Sequence, residues 1–181
     1  RSLFVEHKVL VFRDQRMERR HQLAFASSFG SVEAYDSDIN VEGYREIVRI
    51  DAGEGIPKIP TNTWHTDASF QDPAGRYSML HARVVPPVEA GADTEFADER
   101  AAYDALPEAT KAQIEGLRVH HSIAYSRQTL GFEFSKEEED RLQGAIHPLV
   151  RVNPDTGRKS IYLASHASKI IDWPVPDARL F

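Results

Sequence analysis

The sequence contains no cysteine among its 181 residues, and this absence excludes several kinds of site at once. A disulfide framework, a thiolate zinc site and a cysteine nucleophile all require the missing side chain. The chain also lacks any apolar run near the roughly 20 residues that span a bilayer, and no signal-peptide pattern opens it. These absences predict a cytoplasmic protein that has no membrane partner.

Basic residues are fewer than acidic residues. The chain has 22 Lys and Arg against 28 Asp and Glu, which gives a formal net charge of -6. Binding to a nucleic-acid backbone needs a basic face, so the composition argues against a nucleic-acid partner. A hydrophobic content of 41% supports one domain over residues 1–181. Because the chain starts at Arg1 and ends at Phe181, just after an apparent helix start, we expect a partial view of that domain.

Apolar periodicity and turn residues predict a β-rich chain with helices early and between the strands. The predicted strands are 7–15, 44–50, 76–87, 119–126 and a hairpin over 147–167. The predicted helices are 17–30, two helices within 91–117 that begin with an Asp98 cap, and a helix over 135–142 with a Ser135–Glu138 capping box. This order fits an antiparallel barrel or sandwich with helical decoration.

The stretch "TNTWHTDASF", residues 61–70, places a histidine and an aspartate two positions apart. If the segment is a strand, His65 and Asp67 project from one face, while Trp64 and Thr66 face away. One imidazole and one carboxylate make up two thirds of the facial triad that holds non-haem Fe(II) and leaves coordination positions open. The triplet alone is weak, because roughly 0.6 copies are expected by chance at this composition. A surface or hydrogen-bonded pair is therefore the alternative.

The surroundings of this triplet resemble the Fe(II)/2-oxoglutarate dioxygenases of the taurine dioxygenase and 2,4-dichlorophenoxyacetate dioxygenase family. Similar segments follow in the same order along most of the chain: "HKVLVFRDQ", "LAFASSFGSVE", "NTWHTDASF", "GADTEFADERAAYDAL", "HPLVRVNPDTGRKSIYLASHA" and "WPVP". The segments "TEFADERAAYDAL", "HSIAYSR" and "GRKSIYL" look closest to the 2,4-dichlorophenoxyacetate branch. Several ordered matches are more specific than one triplet.

The resemblance implies a mainly β fold with flanking helices, a double-stranded β-helix (jelly-roll) core that is incomplete at both ends. It implies an oxidoreductase that uses Fe(II) as cofactor, 2-oxoglutarate as cosubstrate and O2 to hydroxylate a small carboxylate. An aryloxyacetate would be cleaved to a phenol and glyoxylate, with release of succinate and CO2, as in aryloxyalkanoate degradation. Family members are often oligomers, so a homo-oligomer is expected.

The resemblance also assigns individual residues. His65 and Asp67 match two iron ligands and are the catalytic candidates. Thr94, in "GADT", matches a threonine whose hydroxyl meets a carboxylate of 2-oxoglutarate, the alternative being a turn that caps a strand. His166 matches a histidine that meets the substrate carboxylate, and a surface histidine in a loop is its alternative. Asn62 is expected to shape the substrate site.

Other assignments remain open. Trp64 is expected to pack in the core, and Asn153 stands where the phenoxyacetate branch tends to carry histidine. In the family the third iron ligand and an arginine for 2-oxoglutarate lie further along than this sequence. We therefore assign no metal to the remaining strand-type histidines, namely His81, His120, His121 and His147. Alkylsulfonate oxygenation, a non-catalytic barrel and a zinc-binding barrel are the competing functions.

Overall fold

The computed structural model describes residues 2–34, 39–51, 63–90 and 93–181. Their contacts separate into two compact units, Arg1–Ile59 with Met79–Val85 and Pro60–Ser78 with Pro86–Phe181. In chain order the elements are α1 (Ser2–His7), α2 (Arg19–Ser27), β1 (Asn40–Val41), β2 (Tyr44–Val48), a 3₁₀ turn (Val88–Ala90), α3 (Glu99–Ala105), α4 (Glu108–Ile114), β3 (Arg118–His121), α5 (Ile123–Gln128), α6 (Lys136–Arg141), β4 (Ala145–Pro148), β5 (Val150–Val152), β6 (Lys159–Ile161), β7 (Ala167–Ile170) and α7 (Val175–Leu180). The described residues therefore mix helices with short strands.

The first unit contains two of the predicted elements. Helix α2 lies inside the predicted 17–30 helix, and β2 lies inside the predicted 44–50 strand and pairs antiparallel with β1. The ring of Phe25 packs edge-on against Phe12 at 5.9 Å and Phe29 at 5.3 Å between centroids. Aromatic edge-to-face contacts of this kind stabilise the packing of Phe12 and Phe29 against α2.

Two predicted strands are wrong. Neither 7–15 nor 76–87 forms a strand, and Val11 and Val84 are 75% and 89% exposed. Each segment contains two valines and further apolar residues, but no strand in the described ranges pairs with either one. Propensity alone does not satisfy the backbone groups of a strand, which need a partner. His81, expected on a strand, accordingly lies in irregular chain.

A three-stranded antiparallel sheet forms the centre of the second unit, with strand order β4-β3-β7. Val119 lies opposite His147, and His121 lies opposite Ala145. All four side chains are buried, whereas the intervening Ile146 is exposed, so the sheet buries one face with the period of two expected for strands. Around this face the core gathers Tyr103, Ile114, Val119, Leu149 and Ile170.

The helices of this unit begin where capping chemistry predicts. The Asp98 side chain accepts from the backbone N–H of Arg100 at the start of α3, and Ser135 and Glu138 form the reciprocal capping box of α6. The strand predicted over 119–126 is only half right. It ends at His121, because Ser122 caps a new helix, α5, by accepting from the backbone N–H of Tyr125. None of the helices in the described ranges is long and apolar enough to cross a bilayer.

The predicted hairpin is confirmed as β5 and β6, which pair antiparallel. The Asn153 side chain accepts from the backbone N–H groups of Asp155 and Thr156, an arrangement that stabilises the turn. A second turn precedes β4, where Gly144 has a φ of +75°. A Cβ there would lie 2.1 Å from the carbonyl oxygen of His121, so the turn needs glycine for both conformation and space.

Candidate active site

His65 and Asp67 lie side by side in the second unit, with His65 Nε2 3.3 Å from Asp67 Oδ1. His65 Nδ1 lies 2.9 Å from the carbonyl oxygen of Thr63, which can only accept, so Nδ1 carries the hydrogen. In the neutral ring Nε2 then holds the lone pair beside the carboxylate. The side chains are 36% and 59% exposed. The pair is therefore reachable and has the correct tautomer for binding a cation through Nε2.

The two side chains come together without the predicted strand. Residues 63–66 are irregular and 67–70 form a turn, in which Ala68 has a φ of +53°. The expectation of a strand here is wrong, although the expected approach of imidazole and carboxylate is present. A turn after Thr66 achieves locally what the alternation of a strand would have achieved.

Two hydrogen bonds fix the backbone on either side of this pair. The backbone N–H of Ser165 donates to the carbonyl oxygen of Trp64 at 2.9 Å. His147, on β4, donates from Nε2 to the carbonyl oxygen of Gln71 at 3.0 Å. The Trp64 side chain itself is 59% exposed, so the expectation that it packs in the core is wrong. Its backbone, and not its indole ring, ties the segment to the rest of the unit.

His166 is buried next to the pair. Its ring centroid lies 6.2 Å from that of His65 and 5.2 Å from that of Phe70, both edge-on. Its Nδ1 lies 2.8 Å from the hydroxyl of Ser126 on α5. Burial, then the positive forms of His65 and Arg127, lower the pKa of His166 to about 4. With 7% exposure it is not the surface histidine of the alternative reading.

A second group of aromatic and imidazole rings lies on the buried face of the sheet. His121 stacks on Tyr162 at 5.0 Å and meets His147 edge-on at 5.5 Å. His121 is 0% exposed, and neither of its ring nitrogens has a hydrogen-bond partner in the described ranges. Burial, followed by the charge of His147, lowers its pKa to about 4. His121 is therefore neutral at physiological pH.

His120 and His121 are not the strand-and-edge pair that was expected, because β3 is the middle strand. His120 points away from His121, as neighbours on a strand do, and both of its nitrogens have partners. Nε2 donates to the carbonyl oxygen of Gln143 at 2.7 Å, and Nδ1 lies 2.6 Å from the hydroxyl of Ser168. These contacts give His120 a structural role.

Thr94 and Asn62 are the remaining predicted site residues. Thr94 is exposed in irregular chain and, within the described ranges, has no hydrogen bond with His65, Asp67 or His166. Asn62 lies outside the described residues. Glu99, five positions after Thr94, is the first residue of α3. Burial raises the pKa of Glu99 to about 7, although a hydrogen bond from the backbone N–H of Leu163 acts to lower it.

A family model described as "Taurine catabolism dioxygenase TauD, TfdA family" matches residues 1–180. The chain belongs to this family. It is 39% identical over 191 residues to the alpha-ketoglutarate-dependent 2,4-dichlorophenoxyacetate dioxygenase of Burkholderia sp. (strain RASC), covering 95% of this chain and 63% of the relative. It is 36% identical over 180 residues to the (S)-phenoxypropionate/alpha-ketoglutarate-dioxygenase of Sphingobium herbicidovorans, covering 93% of this chain and 62% of that one.

Solved structures of the TauD/TfdA type match as well. AAD-2 in complex with Mn(II) and N-oxalylglycine aligns with a TM-score of 0.77 at 39% identity, over 99% of this chain and 63% of that one. A taurine dioxygenase from Burkholderia xenovorans aligns with a TM-score of 0.63 at 22% identity, over 93% and 54%, which shows the fold alone. The chain spans about three fifths of the length of the relatives it matches.

The donor set of this TauD/TfdA chain fits part of an iron site. Two ligands about 2.1 Å from one ion and at a right angle to each other are about 3 Å apart, close to the 3.3 Å between His65 Nε2 and Asp67 Oδ1. Imidazole with carboxylate is the ligand mixture of non-haem Fe(II) centres. In the described ranges no three side chains of His, Cys, Asp or Glu cluster closely enough to hold a metal. The described ranges therefore offer two candidate donors, His65 and Asp67, and not a complete ligand set.

Sequence reasoning missed two residues that support the site. His147 was set aside as a non-ligand, yet it holds the backbone of the 67–71 turn. No sequence pattern indicated this, because the alternation of β4 exposes the apolar Ile146 and buries His147. Ser126 was read as part of a strand, and no sequence pattern indicated its contact with His166, which is 40 residues away.

Proposed function

We propose that this protein is an Fe(II)- and 2-oxoglutarate-dependent dioxygenase that hydroxylates a small carboxylate. An aryloxyacetate is the favoured substrate, cleaved to a phenol and glyoxylate while 2-oxoglutarate becomes succinate and CO2. The observation that carries the proposal is the His65–Asp67 pair, 3.3 Å apart, with the lone pair of Nε2 beside the carboxylate. Relatives named as 2,4-dichlorophenoxyacetate and phenoxypropionate dioxygenases support the substrate class.

His65 and Asp67 are the proposed iron ligands from this chain. Bound Fe(II), together with 2-oxoglutarate, supplies the oxidising chemistry by activating O2. Thr63 supports the metal site by accepting the hydrogen of His65 Nδ1, which keeps Nε2 unprotonated and directs the ring. Ser165 and His147 hold the flanking backbone, so that the two ligands keep their spacing in a segment without regular structure.

Thr94 is the proposed hydrogen-bond donor to a carboxylate of 2-oxoglutarate. A hydroxyl suits this role, because a carboxylate removed from water needs donors in its place. His166 and Asn62 are the proposed substrate residues, and His166 is supported by its buried position 6.2 Å from His65. The third iron ligand and the second 2-oxoglutarate contact are assigned to chain outside this sequence.

The proposal includes the wider architecture. Both compact units belong to one dioxygenase domain with a jelly-roll core, which is supported by the single family match over residues 1–180. A cytoplasmic location and a homo-oligomeric state are part of the same proposal, together with the absence of nucleic-acid and membrane partners. The net charge of -6 supports the exclusion of nucleic acid.

A sulfonate or sulfate-ester substrate is the second candidate, and Asn153 favours it. Where the phenoxyacetate branch tends to carry histidine, this chain has an asparagine whose side-chain oxygen binds the hairpin turn. A relative named alkylsulfatase, from Acinetobacter baylyi, is 32% identical over 97% of this chain. Loss of one anion-binding histidine would weaken the grip on a phenoxyacetate without affecting the metal site.

The test is succinate formation by the purified full-length protein with Fe(II), 2-oxoglutarate and O2. The panel contains aryloxyacetates, aryloxypropionates, alkylsulfonates and alkyl sulfates, and Zn(II) in place of Fe(II) is the matched control. Phenol and glyoxylate formed in equal amounts with succinate would support the favoured substrate. Aldehyde with sulfite or sulfate would select the second candidate. No succinate from any substrate, or equal turnover with Zn(II), would reject the dioxygenase.

A further inference from the structure

His166 is held at two points by the start of helix α5. The backbone N–H of Ser122, the residue before the helix, donates to the carbonyl oxygen of His166 at 2.8 Å. One turn further on, the hydroxyl of Ser126 lies 2.8 Å from His166 Nδ1. Ser126 and His166 are both buried, so bulk water does not compete for this contact. Backbone and side chain of His166 are thus located by one element.

The second contact of Ser126 decides the direction of this hydrogen bond. Its hydroxyl oxygen also lies 2.9 Å from the carbonyl oxygen of Ile123, which can only accept. A hydroxyl has one hydrogen, so the hydrogen given to Ile123 leaves a lone pair of the serine oxygen toward Nδ1. Nδ1 of His166 is then the donor, and Nε2 holds the lone pair of the neutral ring. In the described ranges Nε2 has no hydrogen-bond partner.

We propose that Ser126 is a positioning residue, which fixes His166 as the Nδ1–H tautomer in one ring orientation and leaves Nε2 as the nitrogen that meets the substrate. The substrate part rests on the proposed function, whereas the tautomer part depends only on the contacts of Ser126. Phe70 and His65 lie edge-on to the same ring, so rotation of the imidazole would change its packing on two sides. The side chain of Ser126 contacts His166 and the Ile123 carbonyl oxygen, so Ser126 would act on the substrate only through His166.

The experiment compares Ser126→Ala with Ser168→Ala in the full-length protein. Ser168 is the matched control, because its hydroxyl lies 2.6 Å from Nδ1 of a different histidine, His120. The first readout is the ¹⁵N chemical shifts of the histidine rings at pH 7.5 in metal-free protein, with the His166 signals assigned by their loss in His166→Gln. The second is a pair of KM values, one for the preferred carboxylate and one for 2-oxoglutarate.

Wild-type protein should show His166 protonated at Nδ1 alone. Ser126→Ala should shift the signals toward protonation at Nε2 and raise the substrate KM about tenfold, which is the order of magnitude expected for the loss of one buried hydrogen bond. The KM for 2-oxoglutarate should stay constant, and Ser126→Thr should restore the wild-type His166 signals. Ser168→Ala should change the ring signals of His120, but should leave the His166 signals and both KM values unchanged.

Protonation at Nε2 in the wild type would overturn the proposal even if the Ser126 variants did not fold. A shifted tautomer with an unchanged substrate KM would overturn the positioning role. Absence of turnover in the wild type counts against the proposed function alone, because the ring shifts are measured without metal or substrate.

Discussion

The second unit contains two places where side chains with titratable groups meet, and their surroundings differ in almost every respect. His65 and Asp67 lie in an irregular, solvent-accessible segment, and one nitrogen of His65 is committed to a backbone carbonyl. His121 and His147 lie on the buried face of a regular sheet, where His121 has no hydrogen-bond partner in the described ranges. Ligand binding needs the first kind of surroundings, because an ion must reach a nitrogen that holds a lone pair.

The two places are physically connected. His147 belongs to the buried group and also donates to the carbonyl oxygen of Gln71, four residues after Asp67. The rigid sheet therefore locates an irregular segment that has little structure of its own. Functional residues on loops are commonly positioned in this way, by contacts from buried residues of a rigid element.

The largest expected effect comes from removing either member of the exposed pair. His65→Ala or Asp67→Ala should weaken metal binding more than about a hundredfold, since even residues behind a metal ligand cost about 10- to 100-fold. Mn(II) titration of the full-length protein, followed by electron paramagnetic resonance, measures this without turnover. Thr66→Ala, between the two proposed ligands, is the control and should bind as the wild type does. Unchanged affinity in both alanine variants would remove the pair as ligands.

The buried group should instead affect stability, through pH. The pKa of His121 is about 4 in the folded protein and 6.5 when free, so the unfolded chain binds more protons between these values. Above pH 6.5 the full contribution of His121 to the free energy of unfolding is present. As the pH falls to 4 this contribution decreases, by about 3 kcal/mol at most. Urea unfolding of His121→Leu should therefore show a smaller decrease in the free energy of unfolding between pH 6.5 and 4 than the wild type shows.

Val119→Ala separates this effect from simple loss of packing. Val119 lies on the same buried face of β3, so its truncation should lower the free energy of unfolding at every pH. The dependence of that free energy on pH should stay as in the wild type. If His121→Leu shows the wild-type dependence of stability on pH as well, burial does not lower the pKa of His121 in the folded protein.

Glu99 should make the stability change with pH in the opposite direction. Its pKa is raised to about 7, mainly by burial, so its contribution is complete below pH 4.5 and is lost as the pH rises through 7. Glu99→Gln should therefore be more stable than the wild type at pH 8, on the order of 1 kcal/mol after allowing for partial exposure, and similar at pH 4.5. Equal differences at both pH values would contradict the raised pKa.

The smallest effect is expected at a residue that belongs to neither group. Asp98→Ala removes the cap of α3 and should lower the free energy of unfolding by about 1 kcal/mol, while Asp98→Asn keeps the cap and changes little. Urea unfolding at pH 7 measures both variants. Altered Mn(II) affinity in Asp98→Ala would show that the exposed pair depends on α3, which the contacts do not suggest.

Local chemistry made parts of this fold predictable from the sequence. Asp98, Ser135 and the 153–157 turn were identified because capping and turn formation need only neighbouring residues. The strands at 7–15 and 76–87 were wrong for the opposite reason, since a strand depends on a partner that may lie anywhere in the chain. The strand at 119–126 was misread because Ser122 redirects the chain into a helix after four strand residues.

The site was predictable to the same extent. The approach of His65 and Asp67 follows from their spacing, and the structure achieves it by a turn. His166 was named by resemblance, but its burial and its contact with Ser126 join residues 40 positions apart, which no local pattern reveals. The links from Ser165 to Trp64 and from His147 to Gln71 are equally long-range and concern backbone atoms, so side-chain identity gave no indication of them.

Gly144 places an evolutionary restriction on the sheet. Because even a methyl group there would collide with the His121 carbonyl, the first residue of β4 could not keep its register with β3. His147 would then be displaced from Gln71, and the disturbance would travel to a loop more than 70 positions earlier in the sequence. Relatives that keep the His-x-Asp spacing should thus be unable to vary this distant glycine freely.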